Sequence, residues 1–201
     1  MYDAFNQRKG WDLVFKAFNE EFRSESAELI LKSTRTVVPF PILRSQYPQV
    51  KVIKEPYKHS ELAELLQSVD CFVLPSRGEG FGIPPLEALA TGTPVIIPNA
   101  HGFSEYFTRE YFFEAKIEKE VPALYERFKG ENVGKMFETD IKSLREQMRF
   151  VYEHRSYAFD MARRGSEWAK NNWTYKQLAE RLAPTLSDIA KSRAGPSNDR
   201  G

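Results

Sequence analysis

A single cysteine among 201 residues, Cys71, rules out an internal disulfide framework and fits a reducing compartment. It sits in the apolar run CFVLP, where a buried, inert thiol is the ordinary outcome. Charge of one sign is not in excess, since 29 basic and 28 acidic residues leave a formal net charge of +1. No global field therefore favours nucleic acid or an anionic membrane, and any anion must be bound locally. No run approaches the ~18 consecutive apolar residues of a membrane-spanning helix, and the polar start MYDAFNQRKG lacks an apolar h-region. Together these absences predict a cytoplasmic location. The three histidines, His59, His101 and His154, are widely spaced, so no metal site is expected. Ser76 and Cys71 have no partnered base in the pattern, which leaves triad hydrolysis without support.

What is present is an ordinary globular composition, 41% hydrophobic and 28% charged, in a length that accommodates one sizeable core. Short apolar runs alternate with helical patterns, the signature of a parallel sheet covered by crossover helices. MYDAF reads as the end of a first strand. Val14, Phe15, Phe18 and Phe22 recur at helical spacing after Trp11, so residues 10–23 are expected to form an amphipathic helix on the sheet. Strands are predicted at 27–33, 50–54, 71–76 and 93–99. Between 34 and 49, three prolines argue against a long helix, because proline removes a backbone donor and clashes with the preceding turn. HSELAELLQSVD (59–70) reads as a helix capped by Ser60, with Leu62, Leu65, Leu66 and Val69 inward. Beyond Tyr111 the pattern becomes mixed helices and loops, including helices at 140–154 and 173–190. The polar stretch 191–201 is expected to be a disordered tail.

The stretch SRGEGFGIPPLEALATGTPVIIPN, residues 76–99, concentrates the chemistry. Gly78, Gly80 and Gly82 permit backbone conformations closed to other residues, and Pro84 with Pro85 pre-set a first helical turn near Ile83 that ends at Gly92. This turn and the next loop, AHGFSEYF, leave the carboxyl ends of successive strands, where open α/β sheets bind ligands. A helix start offers free amides and the positive end of its dipole, which suits a diphosphate. Two carboxylates beside a diphosphate would repel it unless they point to neutral hydroxyls on either side. An ionised carboxylate is a pure acceptor of such donors. Glu79 before the turn would then take hydroxyls of a sugar, and Glu87, one helical turn further in, those of a ribose. A nucleotide sugar has this order of parts. Glu87 in a first helical turn also has a purely structural reading, through the helix dipole.

The same residues carry a resemblance. Glu79-Gly80-Phe81-Gly82-Ile83 through Glu87, followed by ALATGTPVI, resembles the E-x7-E signature of the C-terminal, donor-binding half of GT-B glycosyltransferases, in particular glycosyltransferase family 4. RKGWDLVFKAF (8–18), DCFVLPSRGEGFG and WTYKQLAERL are similar to flanking segments of that family, so the likeness spans about residues 5–187. It implies an α/β fold, a Rossmann-like parallel sheet with flanking helices. Residues 1–190 would be the nucleotide-sugar-binding domain, and the N-terminal acceptor domain is absent from the chain. It further implies a retaining transfer from a nucleoside-diphosphate sugar to an acceptor of unknown identity, without a bound metal or other cofactor. Glu79 and Lys9 match its catalytic positions. Arg8, Gly80, Phe81, Gly82, Ile83 and Glu87 fall where the donor is bound, with Lys9 neutralising the diphosphate. The family's arginine would fall near Ala4 instead, with Arg8 adjacent. Gly102 and Glu105 occupy a loop where the family also has a glycine and an acidic residue, although an ordinary turn explains them as well. A separate N-terminal half is the partner such a chain would need for transfer. The other reading is a non-catalytic module that binds a nucleotide sugar or serves assembly.

Overall fold

The computed structural model describes residues 7–33, 47–124 and 128–193. Within them, helix α1 (Trp11–Phe22) leads to strand β1 (Leu29–Lys32), which pairs in parallel with β2 (Val50–Ile53). Helix α2 (His59–Gln67) precedes β3 (Phe72–Val73), and helix α3 (Ile83–Ala90) connects it to β4 (Val95–Ile97). A short β5 (Phe113–Glu114) joins the other edge of β4, so that β3, β4 and β5 form a second parallel set in that order. Parallel pairing follows from the connections, which are long enough to return the chain to the same end of the sheet. The chain is therefore α/β, with parallel sheets flanked by helices, as its alternating pattern predicts.

The apolar runs are buried on both faces because their side chains alternate between two cores. Val73, Ile96 and Phe113 meet Leu13, Val14 and Phe18 of α1 and Leu144 of helix α4 (Ile141–Glu153). Phe72, Leu74, Val95 and Ile97 meet Leu66, Leu86 and Leu89, together with Ala162 and Ala169 of helix α5 (Arg155–Asn172). Full burial of each large apolar side chain contributes about 1.5–3 kcal/mol. Against this framework the α1 stripe is core packing, as its spacing predicts.

Several expectations need correction. Helix α2 ends at Gln67 and is not capped by Ser60. Lys58 is the capping residue, and its amide donates to the Glu61 carboxylate at 2.6 Å. The expected strand over 71–76 is hydrogen-bonded as strand only at Phe72 and Val73, with Leu74 adding a bond to the Ile96 carbonyl. Strands β6 (Ile117–Leu124) and β7 (Asn132–Thr139) pair antiparallel as a hairpin, which the sequence pattern did not reveal. More than half of its strand residues are exposed and few are buried, so no apolar alternation marks it. Helix α5 was also missed. Its buried stripe is Ala158, Met161, Ala162, Gly165, Ser166 and Ala169, mostly small residues chosen for close approach: a Cβ on Gly165 would lie 2.6 Å from Leu89. Helix α6 (Tyr175–Arg193) continues past residue 190, so Lys191 to Arg193 are helical rather than tail. The expected strand at MYDAF, the irregular crossover over 34–46 and the tail beyond Arg193 lie outside the described residues. No helix among the described residues is long and apolar enough to cross a membrane.

Candidate functional site

Two backbone segments meet at the carboxyl ends of β3 and β4. Segment 8–12, at the start of α1, is stitched to the loop after β3: the Arg8 carbonyl accepts the Arg77 amide at 2.7 Å and the Ser76 hydroxyl at 3.0 Å. The loop after β4 packs beneath. Gly102 donates its amide to the Glu79 carbonyl at 3.1 Å, and any Cβ there would lie 2.4 Å from the Gly80 carbonyl oxygen. Residue 102 has to be glycine for the two loops to touch.

This stitching brings Arg8, Lys9 and Glu79 together, although 70 residues separate them. The Lys9 ammonium donates to Glu79 Oε1 at 2.6 Å, Ser76 Oγ donates to the same oxygen at 2.9 Å, and Arg8 Nη1 lies 3.2 Å from it. Arg8 Nη1 also donates to the Gly78 carbonyl. The position near Ala4 lies outside the described residues, but a guanidinium reaches the site from Arg8. All three contacts fall on Oε1, and no described residue donates to Oε2. One oxygen of Glu79 is thus locked in place while the other keeps its lone pairs. Burial by itself would raise the Glu79 carboxyl; the Lys9 ammonium, the Arg8 charge and the Ser76 hydroxyl outweigh it and hold the group below its ordinary value. Among the described residues, both Arg8 and Lys9 thus pair with the one Glu79 carboxylate.

The turn continues into α3 as expected, though only one of its three glycines takes the left-handed conformation. Gly82, at φ 84°, caps the helix; a Cβ on it would meet the Phe103 ring at 2.2 Å. Gly80 faces open space instead. The Gly82 carbonyl accepts the buried Tyr106 hydroxyl at 2.6 Å, whose ionisation burial pushes far up. Tyr106 also stacks edgewise on Phe81 with ring centres 5.4 Å apart. Its role was not legible in the sequence, because nothing local links it to a turn 24 residues away. Pro84 and Pro85 lack N–H groups, so the start of α3 offers the Ile83 amide as a donor, beside the loop amides of residues 80–82. Among the described residues, none of the amides of 80–83 donates to a backbone carbonyl. Ile83 is half exposed, and Glu87 lies one turn further along α3, partly buried, away from the Arg8–Lys9–Glu79 cluster along the helix.

His101 occupies the second loop at φ 44°, an uncommon conformation for a residue with a side chain. Its Nε2 pairs with the Ser76 carbonyl at 2.9 Å and its ring packs on Phe103 and Phe137, while Nδ1 is buried with no partner. Burial, aided by the Arg8 charge, lowers its proton affinity despite the Ser76 carbonyl and Glu79. The neutral ring is thereby favoured where the two loops meet. Glu105 is exposed at the end of a 3-10 turn, His101–Glu105. Burial raises the Cys71 thiol to about 12, as an inert thiol requires.

Comparison with known proteins fits this geometry. A model of the family described as glycosyl transferases group 1 matches residues 44–122. The lipopolysaccharide core biosynthesis mannosyltransferase LpsB of Rhizobium meliloti is 45% identical over 51 residues, 25% of this chain and 14% of that protein. Sucrose-phosphate synthase from Thermosynechococcus elongatus has a similar structure at 18% identity, with a TM-score of 0.69 over 94% of this chain and 44% of the other. Alr3699/HepE from Anabaena, solved in complex with UDP-glucose, gives a TM-score of 0.66 at 16% identity, over 93% of this chain and 47% of its own. At these identities the structures establish the shared fold. The chain spans less than half the length of these structures and a smaller part of LpsB.

Proposed function

We propose that the chain is the donor-binding half of a retaining glycosyltransferase of the family 4 type, acting in the cytoplasm on a nucleoside-diphosphate sugar. The observation that carries this is the division of labour on Glu79, with Oε1 clamped by Lys9, Arg8 and Ser76 and Oε2 left to accept. In this reading Oε2 takes hydroxyls of the sugar. Lys9 has three N–H donors and spends one on Glu79, so it can reach a phosphate without releasing the carboxylate. Arg8 supplies the second positive charge in place of the family's arginine, which would fall near Ala4, and the amides of Gly80 to Ile83 complete an electrostatic cradle for the departing diphosphate. Those charges take the place of a metal, and Glu87 takes the ribose 2′- and 3′-hydroxyls. Transfer to the acceptor needs an N-terminal half.

Calorimetric titration with UDP-, GDP- and ADP-glucose and the free diphosphates, with and without magnesium, tests the assignment. One base should be preferred with no magnesium requirement. Glu79→Ala should weaken the nucleotide sugar and spare the free diphosphate, whereas Glu87→Ala should weaken nucleotides with an intact ribose far more than their 2′,3′-dideoxy analogues. Equal losses for both members of either pair refute the corresponding role, and no binding by the folded chain refutes the donor site.

A further inference from the structure

Arg77 lies outside the residues assigned above, yet it joins three segments around them. Its Nη1 and Nη2 make a two-pronged contact with Asp12 at 2.8 and 2.6 Å, and its Nε and Nη2 reach Glu138 Oε2 at 3.2 and 3.0 Å. The guanidinium is nearly buried, at 9% exposure. Its backbone is engaged as well, donating to the Arg8 carbonyl at 2.7 Å and accepting the Phe137 amide at 2.9 Å. Asp12 is three residues beyond Lys9 in the first turn of α1, and Glu138 is on β7 of the hairpin. Lys119 of β6, 3.3 Å from Glu138, ties in the other strand. The hairpin also flanks the loop directly, Phe137 against the His101 ring and Met136 beside Gly78. Neither Asp12 nor Glu138 falls within the stretch that matches the family model.

A planar guanidinium gripped by two carboxylates at fixed angles orients what it holds, which an ammonium does not. We propose that Arg77 is a positioning residue for the donor site: held between Asp12 and Glu138, it fixes where Arg8 and Lys9 stand and makes the β6–β7 hairpin a working part of that site. The inference rests on the donor-site reading above. Misplacing charged donors by even an ångström removes much of their benefit to a bound anion, so loss of Arg77 should be felt in binding and not only in folding.

The test is calorimetric titration of the parent chain and of Arg77→Met, Arg77→Lys, Asp12→Asn and Glu138→Gln with UDP, GDP and ADP. Each titration is run at a temperature where circular dichroism shows the variant fully folded, so a merely stabilising contact leaves affinity unchanged. The expected result for the preferred diphosphate is a loss of about tenfold for Arg77→Met and about threefold for Glu138→Gln, from the sensitivity of such sites to displacement. Arg77→Lys should recover thermal stability while leaving most of the affinity loss. If Arg77→Met does not fold, the Asp12 and Glu138 variants make the same test, because those side chains are 36% and 23% exposed and less critical to packing. Folded variants that bind within about twofold of the parent overturn the positioning role alone, that being near the limit of what small stability effects explain. Failure of the parent chain to bind any diphosphate overturns the donor-site reading, and this proposal with it.

Discussion

Replacing Lys9 by methionine keeps the aliphatic stem and removes the ammonium, leaving Glu79 charged in a pocket where its side chain is only 8% exposed. An exposed ion pair is worth about 0–1 kcal/mol, whereas removing one partner of a buried pair typically costs about 3–5 kcal/mol, because the remaining charge is stranded. Arg8 at 3.2 Å and the Ser76 hydroxyl at 2.9 Å still face the carboxylate, which lowers the expected loss to about 2–4 kcal/mol. Urea unfolding at neutral pH measures it. The double variant Lys9→Met/Glu79→Gln removes the stranded charge and keeps an acceptor for Ser76, so it should be more stable than Lys9→Met alone, with a coupling of about 1–3 kcal/mol. The pH dependence has a definite sign. The folded Glu79 carboxyl ionises below its unfolded value, so its contribution is present above the ordinary carboxylate range and is lost as pH falls through the folded value. Lys9→Met should therefore lose its disadvantage on acidification. A cost below about 0.5 kcal/mol, or strictly additive losses in the double variant, would refute the buried-pair argument.

Gly82→Ala should cost about 2–4 kcal/mol in chemical unfolding, combining about 1–2 for a left-handed conformation with overpacking against the Phe103 ring. Gly80→Ala, which meets open space, should stay within about 0.5 kcal/mol; equal costs at the two positions would contradict the assigned geometry. His101 is held neutral in the fold, so its contribution is present above the ordinary histidine range and declines as pH falls below about 6.5. Thermal melts of His101→Gln should show a shallower decline between neutral and mildly acidic pH, and an unchanged slope would place the acid sensitivity elsewhere.

The α/β framework was legible in the amino-acid pattern, because apolar runs buried on both faces and helices with one apolar stripe have distinct periods. So was the turn, since glycines, paired prolines and two spaced glutamates each restrict local conformation. Local pattern stopped at helix α5, whose buried stripe is small residues selected by the neighbour they approach, and at the hairpin, whose surface is mostly wet. Long-range packing is what sets Arg8 and Lys9 on one oxygen of Glu79, Tyr106 on the Gly82 carbonyl, and Arg77 between α1 and the hairpin. Each of those contacts joins residues 24 to 71 positions apart in the chain. Their partners are chosen by where the strands place their carboxyl ends, which no stretch of neighbouring residues encodes.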